Sequence, residues 1–461
     1  MSKPVLVYGV GVAGLATINF LLRHDVDVIA VDDHLDDLKQ AELRKLGIEV
    51  IAAPSGNVLR DLVANSAYVA PAPGIPESHA VIDAAVSQRK AIKTELDIAY
   101  EWESQRVGGA RPMVAVTGTD GKTTTVMMAE AILQAAGRRT IACGNTEVPL
   151  VDALEMEVDS FVVEASSFRL AFIENFRAEA SAWLNFDSDH LDWHESMSTY
   201  EAAKARIWRN VRPSDTAIGV ADEAKVLRHL EAAACRRRVV GGSGDYQSID
   251  GTLTGPQGAI MASSHLQRSL PHDVSNALVA SALCIESGLA SSSHAATALS
   301  AYTAPHHRIE FIGESEGVRW FDDSKATSPH AVVTALRGFE SVVLIAGGRN
   351  KGLDLGQIAG EASRVKSVIA IGDSAEMISQ VFAGLKPVVM ADSMQAAVEE
   401  AARLATANDV VLLSPGCTSF DWYGGYAERG DHFAGLVRQY ISSVHLSSDH
   451  ISTVRSQGVI K

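Results

Sequence analysis

A strand that runs into a glycine loop and then directly into a helix, VAVTGTDGKTTT, constrains the fold more than any other segment. The glycines of Gly118–Thr123 let backbone N–H groups wrap around phosphate oxygens, Lys122 reaches the β and γ phosphates, and Thr123 offers a hydroxyl to Mg²⁺. Val116 stands where the full P-loop pattern has a glycine, so only the shorter G-x-x-G-K-[ST] form is matched. A plain turn is the alternative, but Gly-Lys-Thr between strand and helix favours a phosphate loop in an α/β domain.

A second glycine pattern lies near the N-terminus. Gly9, Gly11 and Gly14 have the G-x-G-x-x-G spacing between a strand and a helix, and Asp32 and Asp33 end the next strand. This spacing is typical of a loop that holds a diphosphate at a helix N-terminus. It does not distinguish NAD, FAD and a nucleotide sugar, and a tight packing turn without a ligand stays an alternative.

Apolar strand-like runs alternate with helical stretches along the chain, which is typical of parallel sheets wound with helices. The polar segments EWESQRVGGARP and TAPHHRIE interrupt this alternation. We therefore predict an α/β fold of three domains, residues 1–108, 109–304 and 305–461. Residues 237–270 are rich in Gly and Ser, and the pattern does not place their strands.

Charge and composition exclude some classes of partner. Lys and Arg number 40 against 56 Asp and Glu, a net charge of −16 without a long basic stripe, which argues against nucleic acid. No apolar run reaches membrane-spanning length, and the N-terminus lacks a signal-peptide pattern. The four cysteines have no pairing or metal-ligand spacing. We expect a cytoplasmic protein with no nucleic-acid partner and no membrane span.

Several acidic and histidine residues follow the strands after the phosphate loop. Glu164 ends the strand FVVE, where a carboxylate suits Mg²⁺ as well as it suits a surface position. The next strand ends in a dense group: Asp187, Asp189, His190, Asp192 and His194. This group fits a metal or phosphate site, with His190 as the preferred member, or a solvated acidic loop. Lys204, judged by charge alone, is most simply a helix-surface lysine.

The last third of the chain places polar loops after three predicted strands. The loops are DSKAT (323–327), GGRNKGLD with Lys351, and SPGCTSFDWYGGYAERGDHF with Ser419, Phe420, Tyr426 and Arg429. Since α/β sheets bind ligands at the carboxyl ends of their strands, these loops predict a site for an anionic small molecule. Ordinary turns are the alternative for each loop taken singly.

Taken together and in order, these motifs resemble the Mur ligase family. The shared motifs cover nearly the whole chain: GVGVAG, PAPGI, GTDGKTTT, GNTEVP, EASSF, DHLDWH, YEAAKARIW, PHHRIE, DDSKATS, GGRNKGLD and SPGCTSFDWYGGYAERGDHF. The DSKAT, GGxxKGxD and SPxxxSFD…ERGxxF blocks are similar to the branch that adds D-glutamate. The resemblance implies a Rossmann-like domain for the UDP end of the substrate, a central P-loop-type mononucleotide-binding ATPase domain, and a Rossmann-like C-terminal domain for the amino acid.

The same resemblance implies a reaction in peptidoglycan precursor synthesis. ATP would phosphorylate the carboxylate of UDP-N-acetylmuramoyl-L-alanine, and the amine of D-glutamate would displace the phosphate, with Mg²⁺ as cofactor and a monomer as the family's usual state. This chemistry is sound because phosphate is a far better leaving group than oxide or hydroxide. A ligase for another amino acid such as L-glutamate, an NAD-dependent oxidoreductase and a non-catalytic nucleotide-binding relative are the alternatives.

Site residues are carried over from the resemblance position by position. The ATP set is Gly118, Thr119, Asp120, Gly121, Lys122, Thr123, Thr124, Asn276, Arg308 and Asp323. The metal set is Thr123, Glu164, His190 and Lys204, the last as a carbamate, which replaces the surface interpretation of that lysine. The UDP-muramoyl set is Gly11, Val12, Ala13, Asp33, Gly74, Asn145, Ser166 and His190. The D-glutamate set is Lys325, Thr327, Lys351, Ser419, Phe420 and Tyr426. The residues with expected catalytic roles are Lys122, Glu164, His190, Lys204 and Lys325.

Five positions depart from the family's usual residues. Thr146 and Glu147 follow Asn145 where isoleucine and glycine are common, and Arg169 replaces a common glutamine. Asp273 stands where asparagine is usual, and Tyr426 where phenylalanine is common. These departures leave the contacts at the muramoyl end and in the glutamate pocket open.

Overall fold

A computed structural model describes residues 3–35, 37–45, 47–303 and 305–457 of the protein. By the density of its contacts the chain divides into two compact units. The first comprises Met1–Ser269 with Asp273–Tyr302, and the second Leu270–His272 with Thr303–Lys461. The domain limits given above stay predictions, and those at Met1, Ala304 and Lys461 lie outside the described residues.

The first sheet of the first unit has four parallel strands in the order β3-β2-β1-β4. Its strands are β1 (Val5–Tyr8), β2 (Val28–Asp32), β3 (Val50–Ala52) and β4 (Val69–Pro71). The accompanying helices are α1 (Val12–Arg23), α2 (Asp37–Lys45), α3 (Gly56–Asn65), α4 (Ala80–Ser87) and α5 (Glu95–Ser104). Every residue of β1 is buried, as the apolar sequence VLVY requires of a strand covered on both faces.

The second sheet has six parallel strands in the order β10-β9-β8-β5-β7-β6. Its strands are β5 (Met113–Thr117), β6 (Thr140–Gly144), β7 (Ser160–Glu164), β8 (Ala180–Trp183), β9 (Thr216–Val220) and β10 (Arg236–Val240). Its helices are α6 (Lys122–Ala135), α7 (Leu150–Leu154), α8 (Ser167–Leu170), α9 (Met197–Ala205) and α10 (Ala224–Ala232). The buried Asp97 of α5 accepts backbone N–H bonds from Glu174, Asn175 and Phe176, which attaches the last helix of the first sheet to the second sheet.

The segment that the pattern left unassigned forms a small antiparallel sheet. Its strands are β11 (Gln247–Ile249), β12 (Thr252–Gly255) and β13 (Gly258–Ala262). The helices α11 (Pro271–Glu286) and α12 (Ser292–Ala301) follow.

The second unit contains a six-stranded sheet in the order β14-β15-β19-β16-β17-β18, in which only β14 is antiparallel to its neighbour. Its strands are β14 (Glu310–Ser315), β15 (Val318–Asp322), β16 (Val342–Gly347), β17 (Val365–Ile371), β18 (Val388–Ala391) and β19 (Val410–Gly416). Its helices are α13 (Pro329–Leu336), α14 (Ala375–Val381), α15 (Met394–Leu404) and α16 (Tyr426–Gln457). The predicted α/β class is confirmed. Within the described ranges, no helix has the length and apolarity that crossing a bilayer demands.

Candidate functional site

The phosphate loop joins the central strand β5 to helix α6, as the sequence pattern predicts. Gly121 caps the helix with a φ of 79°, in the left-handed region where glycine is favoured. A Cβ at Gly121 would lie 2.9 Å from the Oδ1 of Asn276, so the loop and α11 approach as closely as glycine permits. The Thr125 hydroxyl donates to the same oxygen at 3.2 Å. Asn276 therefore supports the loop from one side.

Asn185 supports the loop from the other side, and the sequence analysis missed it. Its Oδ1 accepts from the backbone N–H of Thr119 at 2.8 Å and of Asp120 at 2.9 Å, while its Nδ2 donates to the carbonyl of Asp120 at 3.2 Å. A single carboxamide thus satisfies three polar groups of the loop. No local pattern marks this residue, because it lies 65 positions from Asp120 in sequence.

Two lysines share one carbonyl of the loop. Lys122 Nζ donates to the oxygen of Gly118 at 2.9 Å and to that of Thr119 at 2.7 Å, and Lys204 Nζ donates to Gly118 at 2.6 Å. Lys204 is 1% exposed, so the surface position that charge alone predicted is wrong. Burial lowers the pKa of its amine well below the usual value, and the charge of Lys122 lowers it further against the nearby carboxylates.

Glu164 ends β7 beside the phosphate loop. In the parallel ladder Glu164 pairs with Val116 of β5 and with Gly144 of β6. The Nδ2 of Asn145 donates to Glu164 Oε1 at 3.1 Å. The Oε2 of Glu164 is buried and has no hydrogen-bond partner among the residues that the structure describes. The predicted residues Asn145 and Glu164 are therefore in contact, with one carboxylate oxygen left to meet a ligand.

His190 lies in the loop after β8 and has a φ of 56°. Its Nε2 is 3.4 Å from Asp189 Oδ2, and its ring centroid is 4.6 Å from that of Phe168. The loop is attached to the phosphate loop through Thr119, whose hydroxyl accepts from the N–H of Asp187 at 3.0 Å and lies 3.2 Å from the Tyr200 hydroxyl. His190 thus belongs to the same cluster of loops as Lys122.

Asp32 and Asp33, at the end of β2, both form hydrogen bonds near the N-terminal glycine loop. Asp32 accepts from the N–H of Val10 at 2.7 Å, so its carboxylate braces the glycine loop. Asp33 accepts from the Tyr8 hydroxyl at 2.6 Å and lies 2.8 Å from His79 Nε2. Of the other predicted substrate residues here, Gly11, Val12 and Gly74 are exposed and Ala13 is buried.

Two of the departures from the family's usual residues prove to be charge-paired. Arg169 is buried in α8 and forms an ion pair with the buried Glu95 of α5. Asp273 is also buried, and Arg268 donates to both of its oxygens, at 2.7 and 2.6 Å. Each added charge therefore has a partner at a short distance.

Close to Arg169, the hydroxyl of Ser166 is buried, and among the described residues it has no hydrogen-bond partner.

In the second unit, the loop after β15 is held by buried partners. Asp323 Oδ2 accepts from the Ser414 hydroxyl at 2.7 Å, and the preceding Asp322 lies 2.7 Å from His307 Nδ1. Lys325 donates its backbone N–H to the carbonyl of His307 at 3.1 Å, and its Nζ lies 5.0 Å from the centroid of the Tyr426 ring. The predicted residues Asp323, Lys325 and Tyr426 are thus brought together.

Arg429 lies below these loops; the sequence pattern placed it in the last of them, but the resemblance assigned it to no ligand. Its Nε donates to the Ser324 hydroxyl at 2.9 Å, and its Nη2 donates to the carbonyls of Ser324 at 2.7 Å and Cys417 at 3.2 Å. Burial lowers the pKa of Arg429 to about 10. The guanidinium therefore places a positive charge under the loops that carry Lys325 and Ser419.

The remaining residues that the resemblance assigns in this unit differ in exposure. Ser419 is buried, Thr327 and Arg308 are half-buried, and Lys351 is exposed. Phe420 is 60% exposed and Tyr426 37%. The structure thus places Arg308 and Asp323, which the resemblance assigns to ATP, in the second unit, and Gly118–Thr124 and Asn276 in the first.

Three family models match successive parts of the chain. A Mur ligase MurD-like N-terminal domain matches residues 3–93, a Mur ligase middle domain matches 116–284, and a Mur ligase glutamate ligase domain matches 307–417.

Full-length relatives agree with these matches. The UDP-N-acetylmuramoylalanine--D-glutamate ligase of Frankia casuarinae is 41% identical over 94% of this chain and 94% of its own length. The ligase of the same name from Pelotomaculum thermopropionicum is 35% identical over 94% of this chain and 97% of its own. Among solved structures, UDP-N-acetylmuramate-alanine ligase MurC of Thermotoga maritima is similar with a TM-score of 0.56 and 19% identity, covering 96% of this chain and all of that one.

Proposed function

This chain belongs to the Mur ligase family, and we propose that it joins D-glutamate to UDP-N-acetylmuramoyl-L-alanine at the expense of ATP, as a step of peptidoglycan precursor synthesis. The observation that carries the proposal is the 41% identity to a D-glutamate ligase over 94% of both chains. Membership of a ligase family argues against an NAD-dependent oxidoreductase. A non-catalytic relative would be expected to lack some of the catalytic residues, and this chain has all of those expected: Lys122, Glu164, His190, Lys204 and Lys325.

The reaction has two chemical steps. In the first, the substrate carboxylate attacks the γ-phosphorus of ATP, which forms the acyl phosphate and releases ADP. In the second, the amine of D-glutamate attacks the acyl carbon, the C–O bond to phosphate breaks, and the amine gives up a proton as the amide forms. Gly118–Thr124 would bind the ATP phosphates, with Lys122 offsetting charge on the transferred group.

The residues present fit a divalent cation beside the phosphates. Glu164 supplies a buried carboxylate oxygen that lacks a partner among the described residues. We assign Mg²⁺ to Thr123, Glu164, His190 and a carbamylated Lys204, a set rich in the oxygen ligands that Mg²⁺ prefers. Bound there, Mg²⁺ would withdraw charge from the phosphoryl oxygens.

Carbamylation of Lys204 has a physical basis in its surroundings. An amine must be unprotonated to attack CO₂, and the lowered pKa of this buried lysine favours the neutral form. The product carbamate loses one proton and presents two oxygens, so a cationic side chain becomes an anionic ligand. Lys122, which shares the Gly118 carbonyl with Lys204, would then face an opposite charge.

The substrate ends are assigned by motif. Gly11, Val12, Ala13, Asp33, Gly74, Asn145 and Ser166 would bind the UDP-muramoyl substrate, together with His190. Lys325, Thr327, Lys351, Ser419, Phe420 and Tyr426 would bind D-glutamate. Two lysines favour an acidic amino acid, since a neutral side chain would leave a cation without a partner. We assign the reaction to the cytoplasm and to a monomer.

The test is phosphate release by the full-length protein with ATP, Mg²⁺ and UDP-N-acetylmuramoyl-L-alanine. D-glutamate, L-glutamate, meso-diaminopimelate and L-lysine are offered in parallel. We expect release with D-glutamate alone, and a peptide product heavier by one glutamyl residue. Equal rates with all four amino acids, or with none, would contradict the assignment.

A further inference from the structure

Three polar side chains, two of them buried and one partly buried, form a continuous hydrogen-bonded chain that the proposed reaction does not use. Glu77 Oε1 lies 3.0 Å from His194 Nδ1, and His194 Nε2 lies 2.9 Å from the hydroxyl of Ser167. His194 is 2% exposed and Ser167 1%. We call Glu77, His194 and Ser167 the relay. A polar chain this deeply buried is costly unless every member is satisfied, so its geometry is tightly specified.

The direction of the first hydrogen bond follows from chemistry. A carboxylate only accepts hydrogen bonds, so His194 Nδ1 carries a proton and donates it to Glu77. Nε2 and the Ser167 hydroxyl form the second bond. His194 therefore joins the loop of Glu77 to the start of helix α8, with one ring nitrogen bonded to each.

One side of the relay is the loop between β4 and α4, which also contains the predicted substrate residue Gly74. Trp193 reinforces the attachment of this loop. Its indole N–H donates to the carbonyl of Pro73 at 2.8 Å, and its own carbonyl accepts from the N–H of Glu77 at 3.3 Å. The loop is therefore fastened to the neighbouring residues Trp193 and His194.

The other side of the relay lies next to the proposed metal ligands. Ser167 follows Ser166 and precedes Phe168, whose ring centroid is 5.8 Å from that of His194 and 4.6 Å from that of His190. The N–H of His194 also donates to the carbonyl of His190 at 3.0 Å. A displacement of His194 would therefore move both the backbone and the ring contact of His190.

We propose that the relay couples the UDP-substrate loop to the metal site, with His194 as a positioning residue. The proposal rests on the proposed function, because it takes the ligands of both sites from there. Binding of UDP-N-acetylmuramoyl-L-alanine restrains the loop of Gly74 and Glu77 further, and the relay transmits this restraint to His190 at the proposed cation site. By linkage, the substrate tightens cation binding and the cation tightens substrate binding by the same factor.

Two conservative variants test the two hydrogen bonds of His194, to Glu77 and to Ser167, one at a time. In His194→Asn, the amide nitrogen replaces Nδ1 and keeps the bond to Glu77, but the group is too short to reach Ser167. In His194→Gln, the longer amide replaces Nε2 and keeps the bond to Ser167, but it loses the bond to Glu77. His229→Gln is the matched control, since His229 also bonds a glutamate, Glu201, at 2.9 Å.

The experiment measures binding rather than turnover, using the full-length protein. Mn²⁺ binding in the presence of ADP is followed by electron paramagnetic resonance with and without saturating UDP-N-acetylmuramoyl-L-alanine, and binding of that substrate is followed by calorimetry. In the wild type and in His229→Gln we expect the substrate to tighten Mn²⁺ binding by about fivefold or more. In both His194 variants the factor falls towards one.

The two hydrogen bonds of His194 are also expected to affect different ligands. We expect His194→Asn to weaken Mn²⁺ binding about tenfold, and His194→Gln to weaken substrate binding about tenfold. If neither variant folds, Ser167→Ala and Glu77→Gln each weaken one of the two hydrogen bonds. Ser167→Ala should then weaken Mn²⁺ binding, and Glu77→Gln should weaken substrate binding. Variants that lose thermal stability but keep the wild-type coupling factor would overturn the proposal, as would a wild type that binds both ligands without coupling. A wild type that does not bind the UDP substrate would instead contradict the proposed function.

Discussion

The phosphate-loop site of the first unit and the acceptor loops of the second are built in different ways. In the first, the polar backbone groups of the loop already have hydrogen-bond partners in the protein. Asn185 bonds three of them, and Lys122 and Lys204 both donate to the carbonyl of Gly118. In the second, Arg429 likewise holds the underlying loops by hydrogen bonds to Ser324 and Cys417. The side chains above it are accessible to solvent, since Lys351 is exposed and Phe420 is 60% exposed.

This difference separates two tasks. Stabilising a transferring phosphoryl group requires charges and dipoles that are fixed before the reaction, since reorganisation during the step raises the barrier. Choosing an amino acid requires contacts that form when the correct one arrives and remain unpaired when another does. We therefore expect changes in the first unit to act on the chemical step and changes in the second to act on binding of the amino acid.

The largest expected effect is at Lys204. Lys204→Met removes the proposed ligand while keeping most of the side-chain volume, and we expect kcat to fall about 10³-fold. The variant should be at least as stable as the wild type at neutral pH, because it removes an ionisable group from a buried position. Phosphate release and thermal unfolding measure the two results. A kcat within threefold of the wild type would contradict the claim that changes in the first unit act on the chemical step.

The sign of the pH dependence follows from the lowered pKa of Lys204. Between that lowered value and the ordinary value of about 10.4, the unfolded chain holds a proton that the folded chain does not. In CO₂-free buffer the free energy of unfolding of the wild type should therefore rise with pH across this window, relative to that of Lys204→Met. Parallel stability curves would contradict the burial of an ionisable amine.

Lys351 tests the open site. We expect Lys351→Met to raise KM for D-glutamate about 10- to 100-fold, since a hydrogen bond to a charged group contributes ~1.5–3 kcal/mol. The kcat at saturating D-glutamate should stay within about threefold, because the phosphoryl transfer does not use this side chain. Arg403→Met, on the exposed face of α15, is the control. A loss confined to kcat would show that Lys351 does not contribute to the binding of D-glutamate.

Asn185 sharpens the account of the first site. Asn185→Ala removes the acceptor of two loop N–H groups, and we expect KM for ATP to rise about tenfold. Asn185→Asp keeps both acceptors but adds a negative charge beside the phosphates, so its defect should grow as ionic strength falls. Steady-state kinetics at two salt concentrations distinguishes these effects. If neither variant changes KM, the carboxamide has no part in shaping the loop for ATP.

The smallest expected effects are on stability at two glycines of α16. A Cβ at Gly430 would lie 2.2 Å from His307 Nδ1 and 2.6 Å from Asp322 Oδ2, so Gly430→Ala should lower the free energy of unfolding by about 1–3 kcal/mol. Gly435 has nothing within 4 Å of that position, so Gly435→Ala should raise it by about 0.5–1 kcal/mol. Denaturant unfolding measures both free energies. Equal changes in the two variants would contradict the close packing of α16 against His307 and Asp322.

The phosphate loop could be predicted because its signal is local: the glycines, the lysine and the helix start lie within a few residues of one another. Asn185 could not, since it reaches the loop across 65 positions of sequence. The relay joins Glu77 and His194 across 117 positions, and only tertiary packing shows it. Lys204 is similar, because its burial comes from surrounding elements and nothing in YEAAKARIW marks it as internal.

The strands of residues 237–270 escaped prediction for another reason. Gly and Ser there break the alternation that marks a half-buried strand, yet β11–β13 still pair, with Tyr246 and Leu253 buried beneath them. The acceptor residues were assigned through resemblance, since exposed loop side chains leave no periodic trace in sequence.

Activation of the substrate carboxylate as an acyl phosphate is the central chemical claim. It is tested by following an oxygen label. UDP-N-acetylmuramoyl-L-alanine with both carboxylate oxygens replaced by ¹⁸O is incubated with the full-length protein, ATP, Mg²⁺ and D-glutamate, and the released phosphate is analysed by mass spectrometry. The account predicts that each phosphate carries one ¹⁸O, because the C–O bond to the former carboxylate oxygen breaks when the amine attacks. Phosphate without label would contradict it.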